Sequence, residues 1–228
     1  MTDASASPPP ATLTIPRGLF LLSILYGGMT CIAGVLGAKQ VAIGPISVEA
    51  GIFPFLMLVG LSSAVAEVYG KGTANRLVRF GFVPLITAIA LTFIVLQLPT
   101  DPEMYEPAKE AFPIILGQSG RMMAAGVIAY GVSVTLNVLI FSRIGRPGKL
   151  VAIRAALASV VSQIVDTLLF ITISFYGVRP IGQLLIGQAT AKVVLSIGLV
   201  PLIILLFVML ARHLDGRPIS DGALDRER

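Results

Sequence analysis

The sequence predicts an all-α membrane protein with six transmembrane helices. Hydrophobic residues make up 55% of the 228 positions, charged residues only 13%, and the mean hydropathy is +0.89. An ordinary soluble domain does not reach these values. Apolar runs of about 20 residues, the length that crosses a bilayer, alternate with short polar turns. The chain is therefore expected to cross the membrane repeatedly.

The first half of the chain contains three of these runs. Residues 1–16, rich in Ser, Pro, Thr and Ala, predict a disordered cytoplasmic tail rather than a signal peptide. The first span is predicted over about 18–38 and is followed by a short Gly-Pro link. The second span runs from Glu49 or Gly51 to Val68, and the third covers about 80–98.

The second half contains the other three. The segment TDPEMYEPAKE is expected to be an exposed loop because it is acidic and contains two prolines. The remaining elements are a fourth span from Ile114 or Gln118 to Phe141, a fifth within 149–177, a sixth over about 181–210, and a polar cytoplasmic tail at 213–228. The transmembrane domain is thus predicted to cover 17–212.

The distribution of basic residues predicts the orientation. With the amino terminus in the cytoplasm, most Lys and Arg side chains flank the cytoplasmic ends of the spans, which is the arrangement that the positive-inside rule favours. Both termini are therefore expected to be cytoplasmic. The cytoplasmic set is Arg17, Lys71, Arg76, Arg79, Arg143, Arg146, Lys149 and the four arginines from Arg212 onward, against Lys39, Lys109 and Arg179 outside.

The fifth span has a polar face, which is the candidate site. Helical periodicity places Ser159, Ser162, Gln163 and Asp166 on one side. An ionisable group at mid-membrane costs roughly 2.5–3.5 kcal/mol, so such a face usually points into a bundle or a water-filled cavity. The apolar positions expected largely elsewhere are Leu157, Val160, Ile164, Leu168 and Ile171.

Other spans also carry polar groups that could share this site. Glu67 and Asp166 are acidic, and Arg121, Arg154 and Lys192 are basic, so ion pairs between helices are expected. The alternative is that these groups only lock helices together or, near span ends, reach the headgroups. Polar side chains also recur along the fourth and sixth spans and could either bind a solute or join helices by hydrogen bonds: Tyr130, Ser133 and Asn137, and Gln188, Lys192 and Ser196.

The same inventory argues against several functional classes. The net charge of +5 follows from topology, and no aromatic-basic interleaving indicates nucleic acid. Cys31 is the only cysteine and His213 the only histidine, which leaves neither paired thiols for zinc nor a nucleophile pair within the membrane. We expect no enzyme activity, metal or cofactor. Carboxylate, amide and guanidinium groups together favour a neutral, planar, hydrogen-bonding solute.

Several separated motifs resemble the queuosine precursor transporters, also called the vitamin uptake transporter family. They are AEVYGKGTANRLVRFGF, the segment from Arg121 to Phe141, IRAALASVVSQIVDTLLF, and Lys192 with Pro201, and together they cover about 34–201. The resemblance implies six helices, a plan similar to the substrate-binding subunits of energy-coupling-factor transporters, and import of 7-cyano- or 7-aminomethyl-7-deazaguanine-like bases for tRNA queuosine salvage.

The resemblance also implies a set of substrate-binding residues. Carried over by motif, these are Glu67, Arg121, Asn137, Arg154, Ser162, Gln163, Asp166 and Lys192. The chain departs from the family pattern at Gly34, Ser63, Val134 and Asn137, which removes two carboxylates from the expected cavity. These departures leave the exact base and any proton coupling open.

The sequence thus predicts a multi-pass importer in the cell inner membrane whose partners are the lipid bilayer and a 7-deazapurine base. Two alternatives remain: a binding subunit that needs a separate ATP-driven module, and a membrane scaffold protein without a solute. The oligomeric state is open, with a homodimer among the options.

Overall fold

The computed structural model is built from α-helices and one short β hairpin. It describes residues 15–43, 46–117, 120–144, 150–178 and 180–216. The elements in order are α1 (Arg17–Gly37), β1 (Gln40–Ile43), β2 (Ile46–Glu49), α2 (Ile52–Gln97), α3 (Glu106–Leu116), α4 (Gly120–Arg143), α5 (Val151–Phe175) and α6 (Gly182–Leu214).

Within the described residues, five helices are long and apolar enough to cross a membrane: α1, α2, α4, α5 and α6. The chain is therefore a multi-pass membrane protein, as predicted. Helix α5 packs against both α4 and α6, and α2 packs against α1, α4 and α6. This arrangement brings the polar face of α5 to the centre of the bundle.

Helix α2 is broken at Gly70, where φ is 84° and ψ is 159°. Its first half runs antiparallel to α1, because Tyr69 lies beside Gly18 while Gly51 lies beside Gly37. The break therefore separates two helical segments that would otherwise form one rod of 46 residues.

The second half of α2 runs parallel to α1. Gly81 lies against the ring of Tyr26, and the sulfur of Cys31 is 3.6 Å from the carbonyl oxygen of Pro84. From Tyr26 to Cys31 on α1, the contacted residue on α2 moves from Gly81 to Pro84, so the two helices run in the same direction here. The chain therefore reverses its direction at Gly70. The two halves correspond to the second and third predicted spans, which form one broken helix.

Gly70 should be hard to replace because its backbone conformation is almost exclusive to glycine. We expect Gly70→Ala to lower the free energy of unfolding by about 1–3 kcal/mol. The control is Gly72→Ala, in the helix just beyond the break and also with open space around it; it should be neutral or stabilising by about 1 kcal/mol. Thermal unfolding in detergent measures both, and equal effects would contradict a special role for the break.

Two connections differ from the sequence prediction. The link after α1 is a β hairpin in which Gln40 pairs with Glu49, although Gly44 and Pro45 of the predicted turn lie outside the described residues. The loop prediction for TDPEMYEPAKE is wrong for its last five residues, which begin α3. Pro107 is compatible with a first helical turn, and that preference outweighs the acidic composition. The fourth span is predicted to start at Ile114 or Gln118. Ile114 belongs to α3, Gln118 lies outside the described residues, and α4 begins at Gly120.

The ends of α1 and α6 meet at Asp215. One carboxylate oxygen accepts the backbone N–H of Gly18 at 2.8 Å, and the other accepts the hydroxyl of Tyr69 at 2.8 Å. Asp215 thus joins the start of the first helix, the break in α2 and the end of the last helix.

The predicted orientation of α5 is largely confirmed. Ser159, Ser162 and Gln163 are fully buried, whereas Leu157 and Leu168 are about half exposed on the opposite side. One position was placed wrongly, since Ile171 is buried. It lies two turns beyond Gln163, so the buried face of α5 extends past its polar section.

Candidate substrate cavity

A cavity of about 620 Å³ lies between the β hairpin and the middle of the bundle. The second half of α2 and the ends of α1, α3, α4 and α5 form most of its wall. The wall is mainly apolar, with a few polar side chains. The polar side chains in the wall include Thr30, Glu49, Tyr130, Asp166 and Lys192, and the aromatic ring of Phe170 also lines the cavity.

An ion pair between α5 and α6 lies in the cavity wall. The Lys192 ammonium is 2.9 Å from Asp166 Oδ2, and the hydroxyl of Ser133 on α4 donates to Oδ1 at 3.2 Å. The side chains of Lys192 and Asp166 are only 12% and 8% exposed. Asp166 therefore carries a nearly buried charge that is both paired and hydrogen-bonded, the form in which such a charge is tolerated in a membrane.

A second carboxylate lies on the hairpin side of the cavity. Glu49, the last residue of β2, accepts a hydrogen bond from the side-chain amide of Gln188 at 3.2 Å. Gln188 precedes Lys192 by one turn of α6 and is itself buried. The hairpin and α6 thus meet at the polar end of the cavity.

Two tyrosines lie on the side of the cavity formed by α1 and α4. The hydroxyl of Tyr130 donates to that of Tyr26 at 2.7 Å, and Phe82 packs edge-on against Tyr130 with ring centroids 5.1 Å apart. Tyr26 is fully buried, whereas Tyr130 lines the cavity. Buried hydroxyl pairing fixes the ring of Tyr130 in place.

The second intramembrane ion pair lies away from the cavity. Arg154 is 3.0 Å from Glu67, and two of its nitrogens also donate to the carbonyl oxygen of Phe141. The guanidinium carbon is 4.2 Å from the centre of the Phe141 ring, a cation–π contact. Neither charged side chain is more than 3% exposed, and neither lines the cavity.

Polar side chains fill the bundle between the two ion pairs. The amide nitrogen of Asn137 donates to Ser63 at 2.9 Å, so Asn137 and the departure at Ser63 are in direct contact. Ser162 donates to a backbone carbonyl of its own helix. Gln163 differs, because it is fully buried and both its amide atoms are without a hydrogen-bond partner within the described part of the chain.

Arg121 is separate from both ion pairs. It is exposed and donates to the carbonyl oxygens of Ile173 and, at 2.8 Å, Tyr176. Unpaired carbonyls at a helix end are commonly satisfied by such a side chain. Arg121 therefore holds the end of α5 against α4.

Comparison with known proteins gives a family. Residues 49–206 match the family model described as "Putative vitamin uptake transporter". The chain belongs to this vitamin uptake transporter family. It is also 28% identical over 167 residues to the "Probable queuosine precursor transporter" of Bacillus subtilis (strain 168), covering 72% of this chain and 70% of that protein. No solved structure gives a significant match.

In this vitamin uptake transporter the structure divides the eight sequence-predicted residues into groups. Asp166 and Lys192 are paired in the cavity wall. Five residues do not line this cavity and are called the inward group here: Asn137, Ser162, Gln163, Glu67 and Arg154. Arg121 does not line the cavity either and does not contact this group. Glu49 is not among the site residues predicted from the sequence. Glu49 lies immediately before an apolar run and has no helical periodicity with the other polar residues. Its hydrogen bond to Gln188, 139 residues away, could not be predicted from the sequence.

Replacing Gln163 should change stability and uptake in opposite directions, because its buried amide has no hydrogen-bond partner among the described residues. A buried polar group without a partner costs about 1–3 kcal/mol, so Gln163→Met should raise the free energy of unfolding by about that amount while lowering uptake. The comparison variant is Asn137→Leu on α4, whose amide nitrogen donates to Ser63 although its oxygen has no partner among the described residues; loss of the donated bonds should destabilise it. Thermal unfolding and uptake are measured on both variants. A less stable Gln163→Met with full uptake would contradict this account.

Proposed function

We propose that this transporter imports a 7-deazapurine base, a nitrile- or aminomethyl-bearing precursor of the tRNA nucleoside queuosine, across the cell inner membrane. The relative named a queuosine precursor transporter supports this substrate class. The proposed topology has six spans with both termini in the cytoplasm, counting the halves of α2 separately, and a plan similar to energy-coupling-factor binding subunits. The reversal at Gly70 supports that count.

The observation that carries the proposal is a buried ion pair in the wall of a membrane cavity. A cavity of about 620 Å³ has the size of known small-molecule sites and is large enough for a two-ring base. The wall is mainly apolar with few polar groups, which is also typical of such sites. A scaffold protein would have no need to keep Asp166 and Lys192 beside this space.

The geometry supports a binding mode. A carboxylate has about four acceptor positions, and Asp166 uses two of them for Ser133 and Lys192. The others could accept the ring N–H and exocyclic amine of the base. Tyr130 and Phe170 line the same cavity and offer aromatic faces for stacking.

The inward group completes the proposed path. Along α5, Asp166 and Arg154 are separated by about 18 Å, with Gln163 and Ser162 between them. We assign Asn137, Ser162 and Gln163 to the part of the path that is closed in this state, with the Glu67–Arg154 pair as its inner seal. The unpartnered amide of Gln163 supports this assignment, because a solute or water could satisfy it once the path opens. Arg121 is proposed to act at the outer end of α5.

The test is uptake of labelled base into cells that can neither make nor import it. Expression of this chain should restore uptake in a host without any ATP-driven energising module. Uptake only when such a module is supplied would identify a binding subunit instead. Absence of both uptake and ligand-dependent thermal stabilisation, across a panel of purine-like compounds, would favour the scaffold alternative.

A further inference from the structure

One carboxylate in the cavity wall, Glu49, has no ion pair with any residue that the structure describes. Glu49 accepts a hydrogen bond from Gln188, and within the described ranges no Lys or Arg side chain forms an ion pair with it. Asp166, by contrast, is paired with Lys192. The Glu49 side chain is partly exposed and lines the cavity. Its charge is therefore available to whatever enters.

The charges of the described cavity wall do not sum to zero. Two carboxylates, Glu49 and Asp166, face one ammonium, Lys192, so the formal charge is negative. The expectation of a neutral solute included guanidinium groups in the site, but Arg121 and Arg154 do not line this cavity. An uncompensated negative charge inside a low-dielectric cleft attracts and concentrates cations. The charge pattern favours a positively charged solute.

The spacing allows one solute to reach both carboxylates. The partner of Glu49 and the partner of Asp166 are Gln188 and Lys192, four residues apart on α6. Four residues rise about 6 Å along the helix, so the two carboxylates contact adjacent turns of α6, and a two-ring base with a short substituent is long enough to span one turn. A base held at Asp166 could therefore direct a substituent toward Glu49.

We propose that Glu49 binds a positively charged substituent of the solute, so that the transporter prefers an ammonium-bearing base to a neutral one. Glu49 is then a residue that determines specificity, separate from the Asp166–Lys192 pair that holds the ring system. This inference rests on the proposed function and specifies its substrate: the aminomethyl-bearing base is preferred to the nitrile-bearing base. The two bases have the same ring system and differ in the charge of one substituent.

The experiment measures the affinity of the purified chain for 7-aminomethyl-7-deazaguanine and for 7-cyano-7-deazaguanine by ligand-dependent thermal stabilisation. The wild type should bind the aminomethyl base about tenfold or more tightly, as expected for a hydrogen bond between charged groups. Glu49→Gln, which keeps an acceptor for Gln188, should lose that preference and bind the nitrile base as the wild type does. Glu49→Asp, which retains the charge, should keep part of the preference.

The control is Glu103→Gln, the same substitution at an exposed residue outside the cavity wall, which should leave both affinities unchanged. Retained nitrile binding shows that Glu49→Gln is folded. An unchanged preference in Glu49→Gln, or equal losses for both bases, would overturn the role of Glu49 and leave the proposed function standing. If neither base stabilised the wild type, both the role of Glu49 and the proposed function would be overturned.

Discussion

Uptake of the labelled base should fall roughly 30-fold to 100-fold in Asp166→Asn. The substitution preserves the shape of the side chain but removes the charge that balances Lys192. A hydrogen bond to a charged group contributes about 1.5–3 kcal/mol, so weakening the bonds that Asp166 is proposed to accept from the base accounts for a loss of this size. The measurement is initial uptake rate, normalised to the amount of chain in the membrane.

Two further variants separate binding from folding. Asp101→Asn makes the same change at an exposed residue on the segment between α2 and α3 and should retain uptake. Asp166→Asn combined with Lys192→Gln removes both charges, so it should recover stability without recovering uptake. Normal uptake by Asp166→Asn at normal abundance would eliminate this residue from the mechanism.

Glu67→Gln should mainly affect stability. The variant leaves the fully buried Arg154 without its carboxylate partner, although the carbonyl and ring of Phe141 remain in contact. We expect the free energy of unfolding to fall by about 3–5 kcal/mol. Because Glu67 does not line the cavity, the folded fraction should bind the base with an affinity within about threefold of the wild type.

Charge balance provides the control for this pair. Arg154→Met alone removes the guanidinium that pairs with the buried Glu67 carboxylate and should be equally damaging. The double variant of Glu67→Gln and Arg154→Met buries no charge at the pair and should recover much of the lost stability. Thermal unfolding and ligand binding are measured on all three. If Glu67→Gln stayed stable but lost binding as strongly as Asp166→Asn, Glu67 would belong to the same site as Asp166.

The class of fold and the polar face of α5 could be predicted from sequence because both follow from periodicity. An apolar run of fixed length indicates a span, and residues three or four positions apart share a helix face. The prediction failed for Ile171 because packing continued beyond the polar section of the face. Family membership, inferred from motif order, is confirmed by the family match.

The partners of the charged groups could not be predicted, since pairing depends on which helices become neighbours. Arg121 and Arg154 look equivalent in sequence, yet one contacts backbone carbonyls and the other is buried against Glu67. The reversal of α2 at Gly70 could not be predicted either, because it also depends on how the helices pack. In the sequence Gly70 is one glycine in a basic turn, and no pattern there indicates that the helices before and after it both extend as far as this residue.

Asp215 gives the chain a property that its linear order conceals. It joins Gly18 to the end of α6, so the beginning and end of the described bundle are neighbours in space. A short peptide link between these two ends of the bundle would then close it into a ring with little distortion. New termini could be opened elsewhere, for instance in the exposed segment near Asp101, and the order of the helices in the gene would change while their packing stayed the same.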